Sequence, residues 1–111
     1  MLTGFDIELA QAVIQILNSA YATNIQVQFL EIEWNNKEAD LESGNIDLVW
    51  NGMTITDARA EQMQISIPYL TNRQVAVVLN EDADTYTSIE SMKNAIMTAE
   101  SGSAGEGKIK G

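Results

Sequence analysis

The sequence predicts an α/β fold built around a parallel sheet. Apolar residues recur at helical spacing over residues 5–21, alternate with polar residues over 24–32, and form short continuous runs at 46–50 and 73–79. The strand, helix, strand order within residues 24–50 favours parallel pairing through a right-handed crossover. A chain of 111 residues is long enough for one small domain with its own core.

The first predicted element is a packing helix that begins after Gly4. Asp6 is placed to cap this helix and to interact favourably with its dipole. The apolar residues that share one helical face are Ile7, Ala10, Val13, Ile14, Leu17 and Tyr21. A half-buried strand is expected next, over residues 24–32, because apolar side chains alternate there with glutamines.

A short polar helix is predicted over residues 34–43, with Trp34 as a core or capping residue. Gly44 suits the left-handed conformation that ends many helices. The strand at 46–50 then runs into Gly52, where we expect an unusual backbone dihedral or a close approach. A further helix is expected to start at Asp57.

The second half of the chain carries weaker patterns. Its apolar run at 73–79 predicts a central strand, whereas the acidic stretch at 80–87 suits either a crossing between lobes or a surface loop. A short helix capped by Ser88 and a weak strand at 95–99 follow.

Composition excludes several classes of function. Sixteen acidic and six basic residues give a net charge of −10, which disfavours binding to nucleic acids and to anionic membranes. The absence of Cys and His removes disulfides, thiol chemistry, the usual zinc sites and the commonest general base. No cofactor and no metal are therefore predicted, and no stretch has the apolar length of a membrane span.

The predicted strand at 46–50 delivers polar groups to its carboxyl end, where open α/β sheets bind small ligands. Thr54 offers a hydrogen bond, and Arg59 offers a planar fork that matches a carboxylate. An anionic group is the natural ligand of such a site. The same threonines, Asp57 and Arg59 would also serve as an ordinary helix N-cap with a solvated face.

The sequence Gly-Met-Thr-Ile-Thr-x-x-Arg at 52–59, with Gly-Phe-Asp-Ile-Glu-Leu-Ala at 4–10 and Pro-Tyr at 68–69, resembles the extracytoplasmic amino-acid-binding proteins of ABC importers. This type II periplasmic-binding-protein-like family shares its architecture with the ligand-binding cores of ionotropic glutamate receptors. The resemblance implies a three-layer lobe with a parallel sheet, incomplete at both ends. Residues 1–80 would form the first lobe without its opening strand, and 81–111 the hinge and the incomplete beginning of a second lobe.

The resemblance also implies roles for individual residues. The Gly52 carbonyl and the Thr54 hydroxyl would meet the ligand's α-ammonium, while Arg59 and the Thr54 N–H would take its α-carboxylate. A glycine-serine loop in the second lobe would hold the carboxylate from the other side, although a flexible loop has the same composition. The expected ligand-binding residues are Trp50, Asn51, Gly52, Met53, Thr54, Arg59, Ser103 and Ala104.

The function so implied is that of the solute-binding component of an ABC amino-acid importer, which binds the α-carboxylate and α-ammonium of an amino acid between two lobes, and not that of an enzyme. This chain would be a fragment of that component, and its binding is expected to be impaired. The full-length protein would work outside the cytoplasm, in the periplasm or anchored to the outer face of the membrane, with an amino acid and a membrane permease as partners. A cyclic-acid dehydratase of the same architecture, using Asp57 or Glu61 as acid or base, is the alternative. A third possibility is a fragment that serves only in assembly and binds no ligand.

A homodimer is expected as well, formed by pairing of sheet edges or by exchange of the segment beyond residue 80. Trp50 is expected to respond to ligand by its fluorescence, and Trp34 is not.

Overall fold

The computed structural model describes residues 1–111, and all of its regular elements are helical. The α-helices are α1 (Phe5–Tyr21), α2 (Lys37–Ser43), α3 (Asp57–Gln62) and α4 (Ala104–Lys110), and 3-10 turns occur at Trp34–Asn36, Asn80–Asp82 and Glu90–Met92. None of these helices has the length and apolar character needed to cross a membrane.

The four predicted strands are absent from this structure, and its parallel sheet is therefore not confirmed. Residues 24–32, 46–50, 73–79 and 95–99 lie between helices and form no ladder. The physical reason is that apolar alternation fixes only which side chains share a face, whereas a strand also needs hydrogen bonds to a neighbour. In the run at 73–79, Val75 is 77% and Val77 is 91% exposed, so these side chains have no opposing layer.

Helix α1 occupies the predicted residues, but its cap differs from the prediction. Gly4, with φ 126°, is the N-cap residue, and no side chain caps the helix. Asp6 instead lies inside the first turn, where its charge still favours the helix dipole. At the other end Ala22 adopts the left-handed conformation, with φ 51° and ψ 39°, and its N–H donates to the Asn18 carbonyl.

The Asn18 side chain fixes the chain that leaves α1. Its Nδ2 donates to the Ile25 carbonyl at 2.9 Å, and its Oδ1 accepts from the Ile25 N–H at 2.8 Å. The Thr23 hydroxyl donates to the same Oδ1 at 2.8 Å. One amide thus supplies the partners that a neighbouring strand would otherwise give to this part of the backbone.

The prediction of a helix over 34–43 is confirmed. It begins as the 3-10 turn Trp34–Asn36, continues as α2 to Ser43, and ends at Gly44 with φ 77°. The predicted start at Asp57 is also confirmed for α3. The element after Ser88 is a single 3-10 turn, in which the Ser88 Oγ accepts from the Ser91 N–H at 3.2 Å.

Two compact units make up the chain, Met1–Pro68 and Tyr69–Gly111. The predicted boundary at residue 80 separates the first ligand-binding lobe from the beginning of the second. That boundary stays a prediction. Only Ala10 and Lys37 are buried, each 4% exposed. Much of the chain's apolar surface is therefore uncovered.

Replacement of Ala22 by Gly should stabilise the protein. A left-handed conformation costs an L-residue about 1–2 kcal/mol, which exceeds the added unfolded-chain entropy of glycine, so we expect a net gain of about 0.5–1 kcal/mol. Ala20→Gly, which makes the same chemical change inside exposed α1, should instead cost about 0.5–1 kcal/mol. Urea unfolding followed by circular dichroism distinguishes them, and shifts of the same sign would contradict the assigned C-cap.

Candidate functional site

Arg59 is held at the start of α3 by two hydrogen bonds. The Thr56 hydroxyl, at the N-cap position, accepts from the Arg59 backbone N–H at 3.3 Å. The guanidinium lies against the preceding loop, where its Nη1 donates to the Thr54 carbonyl at 2.6 Å. An N-cap role and a ligand-binding role for this segment are thus compatible. The cap uses the Thr56 hydroxyl and the Arg59 backbone N–H, whereas the half-buried guanidinium lies beside Thr54.

A tight turn precedes this arrangement. The Met53 N–H donates to the Asn51 carbonyl at 2.6 Å, which is the i to i+2 bond of a γ-turn centred on Gly52. An unusual dihedral or a close approach was expected at Gly52, and its φ does not lie in the left-handed region. The expected close approach is also missing, since the nearest atom to a Cβ built there is Asp6 Oδ2 at 4.0 Å. A Cβ at this position would therefore meet only the Asp6 carboxylate, at van der Waals distance.

Asp6 was assigned to helix capping, yet its carboxylate lies beside this turn. The first turn of α1 thus brings an anionic group to the candidate site. Sequence reasoning missed this placement because residues 6 and 52 are distant in the chain, and no local pattern connects them.

Trp34 was predicted as a core or capping residue, and the structure places it next to Arg59. The Arg59 Cζ lies 5.8 Å from the centroid of the indole, and the Lys37 Nζ lies 4.8 Å from the same centroid. Both distances are within the range of cation–π interactions. The spacing of Trp34 and Lys37, three residues apart in a helical segment, is a signal that could have predicted the second contact.

Lys37 is a buried cation with partners on two sides. Its Nζ lies 2.9 Å from Glu38 Oε1 and donates to the Trp34 carbonyl at 3.2 Å. Burial tends to raise the pKa of Glu38, but the hydrogen bond from Lys37 and the positive charges of Lys37 and Arg59 hold that pKa below its usual value. Glu38 is thus ionised at neutral pH and offsets the two cations.

The remaining predicted residues of the first unit lie in and before the γ-turn. Trp50 and Met53 are half-buried, and Asn51 and Gly52 are exposed. The Trp50 Nε1 is buried and has no hydrogen-bond partner in the chain, as is also true of the Trp34 Nε1. A role for Trp50 and Asn51 as the floor of a ligand site stays a prediction.

Ser103 and Ala104 lie in the second unit, at the start of α4. Ser103 is the N-cap, and its Oγ accepts from the Glu106 N–H at 3.1 Å. The Glu106 carboxylate in turn accepts from the Gly102 N–H at 2.8 Å. Hydrogen bonds from Lys110 and from the Gly102 N–H lower the pKa of Glu106. The Ser-x-x-Glu spacing is a capping-box pattern. From the sequence, this segment was expected to be either an anion-binding loop or a flexible loop.

The groups around Arg59 have the chemistry that recognition of a carboxylate requires. A guanidinium recognises a carboxylate through two parallel N–H bonds, and Arg59 is anchored at a helix start beside an aromatic ring. Residues 1–111 contain no cluster of acidic side chains that could hold a metal ion. The arrangement therefore suits recognition of a small carboxylate.

Comparison with known proteins assigns the chain to a family. The model of the bacterial extracellular solute-binding proteins, family 3, matches residues 1–103, and the chain belongs to this family. The family implies an α/β periplasmic-binding-protein fold, and the expected resemblance to amino-acid-binding proteins is confirmed.

The chain is similar to several curated binding proteins. It is 36% identical over 75 residues to a probable histidine-binding protein of Neisseria gonorrhoeae, covering 68% of this chain and 26% of the relative. It is 29% identical over 92 residues to the L-cystine-binding protein TcyJ of Escherichia coli, covering 83% of this chain and 32% of the relative. The arginine-binding extracellular protein ArtP of Bacillus subtilis is 29% identical over 109 residues, covering 98% of this chain and 40% of the relative.

The chain thus spans 26% to 40% of the length of these relatives. No solved structure gives a significant match. The relatives are named as binding proteins, which agrees with a non-enzymatic class.

Proposed function

We propose that this protein is the solute-binding component of an ABC amino-acid importer. It works outside the cytoplasm and delivers its ligand to a membrane permease. Membership of the solute-binding family and the amino-acid ligands in the relatives' names support the proposal. The structural observation that carries it is the anchored Arg59 guanidinium beside the Gly52 turn.

Arg59 binds the α-carboxylate of the amino acid. A guanidinium carries five N–H donors, so the Nη1 bond to the Thr54 carbonyl is compatible with a bidentate bond to a carboxylate. The Gly52 carbonyl and the Thr54 hydroxyl accept from the α-ammonium, and the Thr54 N–H donates to the carboxylate. Trp50 and Asn51 line the floor of the site.

The loop at Gly102 and Ser103 approaches the carboxylate from a second lobe in this proposal. In this structure the Gly102 N–H donates to the Glu106 carboxylate at 2.8 Å, and the Ser103 Oγ accepts from the Glu106 N–H at 3.1 Å. Binding at this loop requires Glu106 to release the Gly102 N–H. The dehydratase alternative has less support, because Asp57 and Glu61 are both exposed on α3.

Removal of the Arg59 side chain should abolish most amino-acid affinity. Arg59→Ala should cost about 2–5 kcal/mol of binding free energy because the ligand carboxylate loses its charged partner. Isothermal titration with L-histidine, L-arginine and L-cystine measures the loss. The matched control is Arg73→Ala, which removes the exposed second arginine and should leave affinity unchanged. Equal affinities of the two variants, or a parent that binds none of the three ligands, contradict the proposal.

Gly52→Ala should separate folding from binding. The new Cβ meets no atom closer than 4.0 Å, so we expect the free energy of unfolding to stay level or to rise by about 0.4–1 kcal/mol. Binding should nevertheless weaken about tenfold or more, because the methyl group occupies space beside the carbonyl that receives the ligand ammonium. Thermal unfolding and calorimetry on the same sample measure both effects. Unchanged affinity would remove Gly52 from the site.

We further propose that the family's parallel sheet forms when a second copy covers the exposed apolar segments. A standard interface covers about 800 Å² per partner, and Val75, Val77 and Leu79 offer side chains that are 77%, 91% and 65% exposed. Residues 73–79 supply both an apolar face and unpaired backbone groups for edge pairing. Exchange of the segment beyond residue 80 would bury Ile89 and Ile96, which are strongly exposed.

Sedimentation equilibrium at micromolar concentration should therefore detect a homodimer. Infrared spectroscopy at the same concentration should show β-structure that declines as the dimer dissociates on dilution. Val77→Lys places a charge in the exposed run and should weaken the dimer, whereas Gln11→Lys on α1 is the control. A monomer with the same β content at all concentrations contradicts the second-copy proposal.

A further inference from the structure

Asn51 and Gly52 form the single Asn-Gly pair of the chain, and this pair lies in the candidate site. Every other asparagine is followed by a residue that carries a side chain. Both residues of the pair are exposed, and they lie in the segment 45–56, which contains no helix and no strand. The side-chain amide of Asn51 is therefore next to a backbone nitrogen that no side chain shields.

An asparagine in this position reacts with its own backbone. The nitrogen of the following residue attacks the side-chain Cγ, the new C–N bond closes a succinimide ring, and the bond from Cγ to the amide nitrogen breaks. The amide nitrogen leaves as ammonia and takes the proton of the attacking N–H. Water then opens the ring at either carbonyl, which gives an aspartyl residue or an isoaspartyl residue whose backbone runs through the side chain.

Gly52 removes the main steric obstacle to this attack. A side chain on the following residue hinders the approach of Cγ to the nitrogen and restricts the backbone, whereas glycine does neither. Around a Cβ built on Gly52, no atom is closer than Asp6 Oδ2 at 4.0 Å. Rotation of the backbone between Asn51 and Gly52 also breaks no helical hydrogen bond, because the segment belongs to no helix.

Asn45 provides a comparison within the same loop region. Its Nδ2 donates to Asp40 Oδ1 at 3.1 Å, which restrains the amide. The nitrogen that would attack belongs to Ile46, whose N–H donates to the Asp40 carbonyl at 3.3 Å. The β-branched side chain of Ile46 crowds that nitrogen as well. The structure thus disfavours at Asn45 the reaction that it permits at Asn51.

We propose that Asn51 is a site of spontaneous deamidation, which converts its amide to a carboxylate within the candidate ligand site. The new charge arises next to Gly52, beside which the Asp6 carboxylate already lies. It opposes the ligand carboxylate at Arg59. The isoaspartyl product also lengthens the backbone and displaces the Gly52 carbonyl, which is proposed to accept from the ligand ammonium. The loss of binding rests on the proposed function, whereas the reaction itself does not.

Mass spectrometry of protein incubated at mildly alkaline pH tests the reaction, with an unincubated sample as the baseline. Each conversion adds about one dalton, because OH replaces the amide NH₂. Trypsin releases residues 38–59 as one peptide that contains both Asn45 and Asn51, and fragmentation locates the gain. We expect conversion at Asn51 to be about tenfold or more faster than at Asn45. Labelling by an isoaspartyl methyltransferase should detect the isoaspartyl product.

Two variants control this measurement. Asn51→Gln keeps an amide but must close a larger ring, so it should abolish the gain at position 51. Gly52→Ala should slow the conversion about two- to fivefold or more, because it restricts the backbone and adds a methyl group. No gain at Asn51 in the parent, or an equal gain at Asn45, overturns the proposal.

Calorimetry with L-histidine tests the consequence for binding. In the incubated parent, the binding-competent fraction should fall in step with the converted fraction, whereas incubated Asn51→Gln should keep the stoichiometry of its own fresh sample. A stoichiometry that stays level while Asn51 converts overturns the effect on binding. If the fresh parent does not bind L-histidine, that result counts against the proposed function, and the mass comparison alone decides whether Asn51 is the deamidation site.

Discussion

The hydrogen bond from Arg59 to the Thr54 carbonyl is the interaction on which the site depends. It joins the first turn of α3 to the loop that follows the Gly52 turn, and at 2.6 Å it is short for a bond to a neutral acceptor. The Thr56 cap fixes the backbone beneath it. Without this link the guanidinium would be an ordinary flexible side chain, and a carboxylate would have to order it at the full cost in entropy.

Charge is distributed unevenly around this link. The chain carries a net charge of −10, yet Lys37 and Arg59 place two cations at the Trp34 ring. Glu38 offsets them, and its lowered pKa keeps it ionised at neutral pH. A strongly acidic surface repels simple anions, whereas a molecule that also carries an ammonium group is not repelled in this way. A zwitterion therefore suits this chain better than a free carboxylate does.

Local sequence patterns predicted the helices well and the long-range structure poorly. The bounds of α1 and the Gly44 and Asp57 boundaries follow from spacing and capping within a few residues. Strands depend on a partner elsewhere in the chain, so the apolar run at 73–79 does not by itself determine pairing, and the predicted parallel sheet is not confirmed. In the same way, the motif predicted Arg59 with its own capping environment, whereas the approach of Trp34 and Asp6 depends on tertiary contacts that no local pattern encodes.

The proposed recognition of the α-carboxylate by Arg59 is tested most directly by a cycle that changes both partners. Affinities are measured for L-histidine and for L-histidinol, which lacks the carboxylate, in the parent and in Arg59→Ala. If Arg59 binds the carboxylate, each change alone should weaken binding by a similar factor, and both together should weaken it little further. Independent, additive losses would contradict this recognition, because they would mean that the carboxylate is bound by another group.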